Sequence, residues 1–198
     1  MQEYSGGFTS ERLIQNEMRQ VIELYLEGKT KDEIRDIVID SNLFNMRSVA
    51  AIKENLGKIN RRITFLDEEM MTFYVKGNIN DSLVILFYTF LRSFRIAREF
   101  VLEVIRYNWI NRKKEISIID INTFFDEKAK QSDVVAGWTV NTSKKVRSRV
   151  LEFCTQCGLV EKRNKEFLIT PIQISYDLKM YIKDHKEYRK ILIYILNE

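Results

Sequence analysis

Four cations fall within six residues in the stretch NTSKKVRSRVLEFC, from Asn141 to Cys154: Lys144, Lys145, Arg147 and Arg149. Ammonium and guanidinium groups at this density neutralise phosphates, and guanidinium forks also suit guanine edges. Between Asn141 and Lys165 there are seven Lys or Arg and two Asp or Glu, a net charge of +5. The whole chain carries +4, with 32 basic and 28 acidic residues, so the remainder holds 25 and 26 and nets −1. The excess positive charge therefore sits in one segment, and that asymmetry points to a polyanion.

The same stretch has the pattern of a helix that packs into a core. Val146, Val150, Phe153 and Cys157 recur at i, i+4, i+7 and i+11, which at ~100° per residue makes a narrow stripe. Thr142 is expected to cap it, its hydroxyl accepting a free backbone N–H. Lys144, Ser148 and Glu152 fall opposite the stripe and Lys145 close to them, while Arg147 and Arg149 flank it. Gly158 then separates the helix from a hairpin: Leu159 to Lys162, a polar turn at Arg163-Asn164-Lys165, and Glu166 to Thr170 before Pro171. Helix, helix, basic helix and hairpin is the order of a winged helix-turn-helix. In that motif the second helix of the pair enters the major groove and the hairpin rests on the backbone or minor groove.

The candidate DNA contacts are thus Lys144, Lys145, Arg147 and Arg149 on the helix, and Lys162, Arg163 and Lys165 on the wing. Thr142, Ser143 and Ser148 add hydroxyl donors. Against this stands the plain alternative that a charge run is a solvated face, and that winged helices also serve as protein-interaction modules.

Other chemistry has little support. Cys154-Thr155-Gln156-Cys157 is a CxxC without the further ligands a structural zinc needs, so both cysteines are expected to pack as small apolar residues. His185, the only histidine, lies in the charged stretch KDHKEY and is expected at the surface. The phosphate-loop, dinucleotide and zinc-protease motifs are absent, and the acidic pairs Glu68-Glu69 and Asp126-Glu127 point ~100° apart on a helix. No catalytic role, metal or cofactor is assigned.

The positioning elements are expected to be helical. Seven glycines and a single proline in 198 residues leave long segments unpunctuated. An irregular arm over residues 1–9 is followed by a helix from Ser10 to Glu27, closed by Gly28. A second helix starts at Thr30 with Glu33 at capping-box spacing, and a third is capped by Ser48 and runs towards Leu66. This third helix turns Lys53, Lys58, Arg61 and Arg62 away from its apolar face. A long helix from Asp81 to about Asn108, nearly apolar all round at its start, belongs at the centre of its domain. Further expectations are a short β-branched stretch at Ile116 to Ile119, a helix from Asp120 to Lys130, a loop from Asp133 to Asn141, and a last helix from Ile174 to Leu196. The fold class is mainly α: residues 1–110 an N-terminal helical bundle with a helix-turn-helix-like part, residues 111–198 a C-terminal winged helix with a small β-hairpin and a terminal helix.

The run from Ser82 to Leu91 is about half the ~20 apolar residues of a membrane span. With no apolar leader at the N-terminus and two cysteines, a cytoplasmic protein without membrane contact is expected.

The opening YSGGFTSERLIQNE and the stretch IDSNLFNMRSVAAIKENLGKINRRITFL, Ile39 to Leu66, resemble the BrxA family, small components of BREX phage-defence systems. The order of segments fits over nearly the whole chain. The resemblance implies a largely helical double-stranded DNA-binding protein acting beside a methyltransferase, an ATPase and other BREX proteins. It also brings a likeness to NusB-type RNA-binding antitermination factors and, for some members, an inner-membrane label that the hydropathy disfavours. RNA binding and a protein-only scaffold are therefore the rival readings. Arg47, Ser48, Arg61 and Arg62 match the family pattern and join the DNA-contact candidates; the alternative for them is helix capping and surface solubility.

Overall fold

Thr30 opens α2 (Lys31–Asp40) with a complete capping box: its hydroxyl accepts from the Glu33 N–H, and the Glu33 carboxylate accepts from the Thr30 N–H at 2.8 Å. Gly28 closes α1 (Gln15–Leu26) at φ +82°, a left-handed conformation that glycine adopts without a Cβ clash. Ser48 caps α3 (Val49–Ile63), accepting from Ala51 N. These starts and stops agree with the sequence reading. The computed structural model describes residues 3–164 and 166–197.

Several other elements differ. The arm is not irregular. Its 3-10 turn, Gly7–Ser10, buries Phe8 completely, and α1 begins only at Gln15. A helix unmarked in the sequence reading, α4 (Glu68–Lys76), is capped by Asp67. The central helix α5 (Ile79–Ser93) is capped by Asn78, not Asp81. Asp81 is instead buried, and its carboxylate accepts from Ser175 N at 2.8 Å. Every residue from Val84 to Leu91 is buried, as its composition requires.

At Phe94 the chain leaves helical geometry (φ −130°, ψ 108°). The Phe94 ring lies against Phe8 (4.6 Å between centroids) and Phe90 (5.2 Å), so tertiary burial of an aromatic breaks the expected long helix. The chain continues as α6 (Arg95–Phe100), a π-helical stretch (Val101–Arg106) and α7 (Tyr107–Ile110).

Beyond residue 110 the order is β1 (Glu115–Ile116), α8 (Ile118–Gln131), α9 (Asp133–Ala136), α10 (Val140–Gln156), β2 (Val160–Arg163) and β3 (Glu166–Ile169). The stretch 133–141, expected as a loop, thus holds a short helix and the first turn of α10. The strands form an antiparallel sheet in the order β1-β3-β2, with Ile116 opposite Phe167 and Lys162 opposite Phe167 on the other side. The expected terminal helix is two pieces, α11 (Tyr176–Asp184) and α12 (Lys190–Tyr194). The protein is mainly helical with this one small sheet.

The apolar core runs across residue 110 without a break. Phe90 of α5 stacks on Phe153 of α10 with centroids 3.8 Å apart, and Phe100 of α6 meets Phe124 of α8 edge-on at 5.3 Å. The terminal segment packs back on the N-terminal helices: Tyr188 meets Tyr88 at 5.8 Å, and its hydroxyl accepts from Asp67 N at 2.9 Å. His185, expected at the surface, is half-buried; it stacks on Tyr181 at 3.9 Å with Nδ1 2.8 Å from the Tyr181 carbonyl.

Candidate nucleic-acid interface

Helix α10 starts one turn earlier than expected, because Thr139, not Thr142, is its cap. The Thr139 hydroxyl accepts from Thr142 N at 3.1 Å. Thr142 becomes a half-buried residue of the first turn, close enough to the arm that a Cβ on Gly6 would stand 3.1 Å from its methyl. Ser143 is half-buried as well. The apolar stripe packs inward as its spacing requires: Val146, Val150, Phe153, Cys154 and Cys157 are all buried. Both thiols are sealed in the core, where burial pushes Cys157 up to about 12, so neither is poised for redox or metal chemistry. Gly158 (φ +80°) ends the helix; its N–H donates to Thr155 and the Leu159 N–H to Cys154, which sends the chain straight into β2.

The six described cations of the helix and hairpin divide into two classes. Arg147 reaches α8. It donates to Asn122 Oδ1 at 2.6 Å, lies 3.3 Å from Asp126 Oδ1 and sits 5.1 Å from the centre of the Phe125 ring. Arg149 pairs with Glu152 at 2.6 Å and donates to the Thr9 carbonyl of the arm at 3.3 Å. Arg163 pairs with Glu161 across 3.2 Å. By contrast, Lys144, Lys145 and Lys162 are exposed and make no ion pair among the described residues. Lys165, the other wing candidate, lies outside the described residues.

The three lysines belong to one surface. Ser148, Leu151, Thr155 and Lys162 line a shallow groove between the outer face of α10 and the hairpin, with Phe167 at its floor. Lys144 is one turn before Ser148 on that face, and Lys145 flanks it. Glu152 is the one acidic lining residue, and Arg149 holds it.

The candidates on α3 separate more sharply. Arg47 is exposed, and Ser48 spends its oxygen on the helix cap. The side chain of Arg61 is 71% exposed, with Glu11 3.9 Å away. Arg62, expected on the outer side of α3, is instead 2% exposed: it forms a buried ion pair with Glu11, donates to the Leu13 and Arg12 carbonyls, and sits 5.8 Å from the centre of the Phe153 ring. Burial pushes its guanidinium pKa down while Glu11 pulls the other way. Arg62 cannot meet DNA from this position and leaves the candidate surface. Lys58, also expected outward, is buried against Glu54 at 2.8 Å.

The BrxA family model matches residues 2–186. The chain belongs to the BrxA family. The match includes both the arm that carries Glu11 and the whole of α10 with its hairpin. Over 167 residues the chain is 26% identical to the "BREX protein BrxA" of Bacillus cereus (strain H3081.97), an alignment covering 83% of this chain and 84% of that one. The fold also resembles the crystal structure of an uncharacterized protein from Magnetospirillum magneticum, with TM-score 0.77 at 16% identity over 98% of each chain. Among the described residues no group of three His, Cys, Asp or Glu is placed to hold a metal ion, and no helix is long and apolar enough to cross a membrane.

Proposed function

We propose that this BrxA-family chain is a non-catalytic double-stranded DNA-binding accessory of a BREX-type phage-defence system, working beside other BREX proteins. The observation that carries this reading is the shared surface of Lys144, Lys145 and Lys162, three exposed ammonium groups without internal partners on a helix and its adjoining hairpin. The order β1, α8, α9, α10, β2, β3 and the sheet order β1-β3-β2 support a winged helix in which α10 addresses the major groove and the hairpin the backbone. The lysines act as point charges on phosphates, so binding is sequence-tolerant and falls steeply with salt, each contact contributing ~0.9 to the slope of log K against log salt.

The test is a gel-shift titration over several salt concentrations with duplex DNA, single strands and structured RNA. Duplex DNA is expected to bind most tightly with a negative salt slope. A strong preference for RNA overturns the DNA reading in favour of an antitermination-type role, and no nucleic-acid binding at low salt leaves a protein scaffold.

A further inference from the structure

The largest groove found on the surface, about 640 Å³, lies away from α10, between the arm and the start of α3. Its walls include Ser10, Arg12, Arg47, Asn55 and the Lys58–Glu54 pair. Lys58 and Glu54 neutralise each other. Arg12 and Arg47 are exposed and have no ion-pair partner among the described residues, so the groove carries two uncompensated guanidinium groups. Its rim is held in shape. Asn42 accepts from Met46 N at 2.9 Å and donates to the Met46 carbonyl at 3.0 Å, and Asn55 donates to Met46 Sδ, which fixes the loop that presents Arg47.

The groove is joined to α10 by the arm itself. Thr9 receives Arg149 of α10 on its carbonyl, and Gly6 is packed against Thr142 and Trp138. The next residue, Ser10, lines the groove, and Arg12 follows two further on. Three residues of chain span at most about 11 Å, close to the axial rise of three successive phosphates on one strand.

We propose that this groove seats a backbone phosphate of the same duplex that α10 engages, with Arg12 and Arg47 as its contacts and the docked arm as the bridge between the two sites. The inference rests on the DNA-binding reading above. Two guanidinium groups suit a phosphodiester, since each offers a planar fork of donors to its oxygens. The arm then sets the spacing between the two contacts, because it touches α10 at one end and walls the groove at the other.

The experiment is a fluorescence-anisotropy titration of the full chain with a labelled duplex two helical turns long, repeated across chloride concentrations. Arg12→Ala/Arg47→Ala is expected to reduce the salt slope by about 2 units, at ~0.9 per lost phosphate contact, while Arg12→Lys/Arg47→Lys keeps it. Lys144→Ala/Lys145→Ala is measured alongside. An unchanged slope for Arg12→Ala/Arg47→Ala, with a reduced slope for the lysine pair, overturns the groove and leaves the α10 reading standing. Failure of the unmodified chain to bind duplex overturns both. A free-phosphate site is distinguished by melting temperature. If millimolar inorganic phosphate raises Tm over chloride at equal ionic strength, and the arginine variant loses that rise with no change in DNA slope, the groove belongs to free phosphate and the proposal is overturned.

Discussion

Helices α3 and α10 look alike in sequence and have opposite fates. Each carries four cations: Lys53, Lys58, Arg61 and Arg62 on one, Lys144, Lys145, Arg147 and Arg149 on the other. On α3, two of the four are drawn into the protein, Arg62 by Glu11 and Lys58 by Glu54. On α10, both lysines stay in water, and both arginines lie along the flanks against α8 and the arm. Arginine and lysine are used differently here. The planar guanidinium ties elements together through several donors, and the ammonium is left for solvent or a ligand. A count of positive charge therefore overstates the free surface on both helices, and far more so on α3.

The contrast breaks first at Arg62. Removing it leaves the Glu11 carboxylate buried and unpaired, and it frees three carbonyl or carboxylate acceptors at the junction of the arm, α3 and α10. Breaking a buried pair in this way costs about 3–5 kcal/mol. Arg62→Ala is expected to lose that much in a denaturant melt. The paired change Glu11→Leu/Arg62→Met is expected to recover much of it, since the uncompensated charge is gone. If Arg62→Ala costs under about 1 kcal/mol, as surface substitutions do, Arg62 is not structural and its exclusion from the DNA surface fails.

The second effect sharpens the comparison from the other side. Lys144→Glu/Lys145→Glu removes two unpaired charges that touch nothing, so stability should stay within about 0.5 kcal/mol. Duplex affinity should fall by an order of magnitude or more near physiological salt, and the salt slope should drop by about 2 units. The opposite pattern, a melt shifted and a slope retained, would mean that these lysines serve the fold and that α10 is an ordinary solvated helix.

The local parts of this picture were legible in the chain. The stripe Val146, Val150, Phe153 and Cys157 placed α10 against the core, and Gly158 with the polar turn at Arg163-Asn164 placed the hairpin, because helix period and turn chemistry are encoded by near neighbours. The Arg149–Glu152 pair was also within reach, being three residues apart on one helix. What escaped was set by distant partners. Glu11 lies 51 residues from Arg62, and the spacing of α3 alone gives no reason to bury a guanidinium. Phe94 breaks a helix by meeting Phe8, and Asp81 looked like a cap until Ser175 arrived to claim it. The arm was the largest omission. Tyr4, Phe8 and Glu11 are all buried, so a segment that looked like a loose end instead joins the bundle to α10.

Arg147 gives the smallest and most discriminating effect. Its guanidinium is partly exposed, with 28% of the side chain accessible, and Asp126 is more exposed still at 66%, so the ion pair itself is heavily screened. The Asn122 hydrogen bond and the Phe125 ring add to it, and Arg147→Ala should cost roughly 1 kcal/mol of stability in total. Its Nε has no hydrogen-bond partner and is buried, so the group is held by its tip and its flat face. An arginine so engaged with α8 has little freedom to reach a phosphate. The salt slope of Arg147→Ala should therefore change by well under the ~0.9 of one contact, while Lys144→Ala alone shows the full value. If Arg147→Ala instead lowers the slope by a full contact with no loss of stability, Arg147 leaves Asp126 for the duplex. The division between tying arginines and free lysines then holds only without DNA.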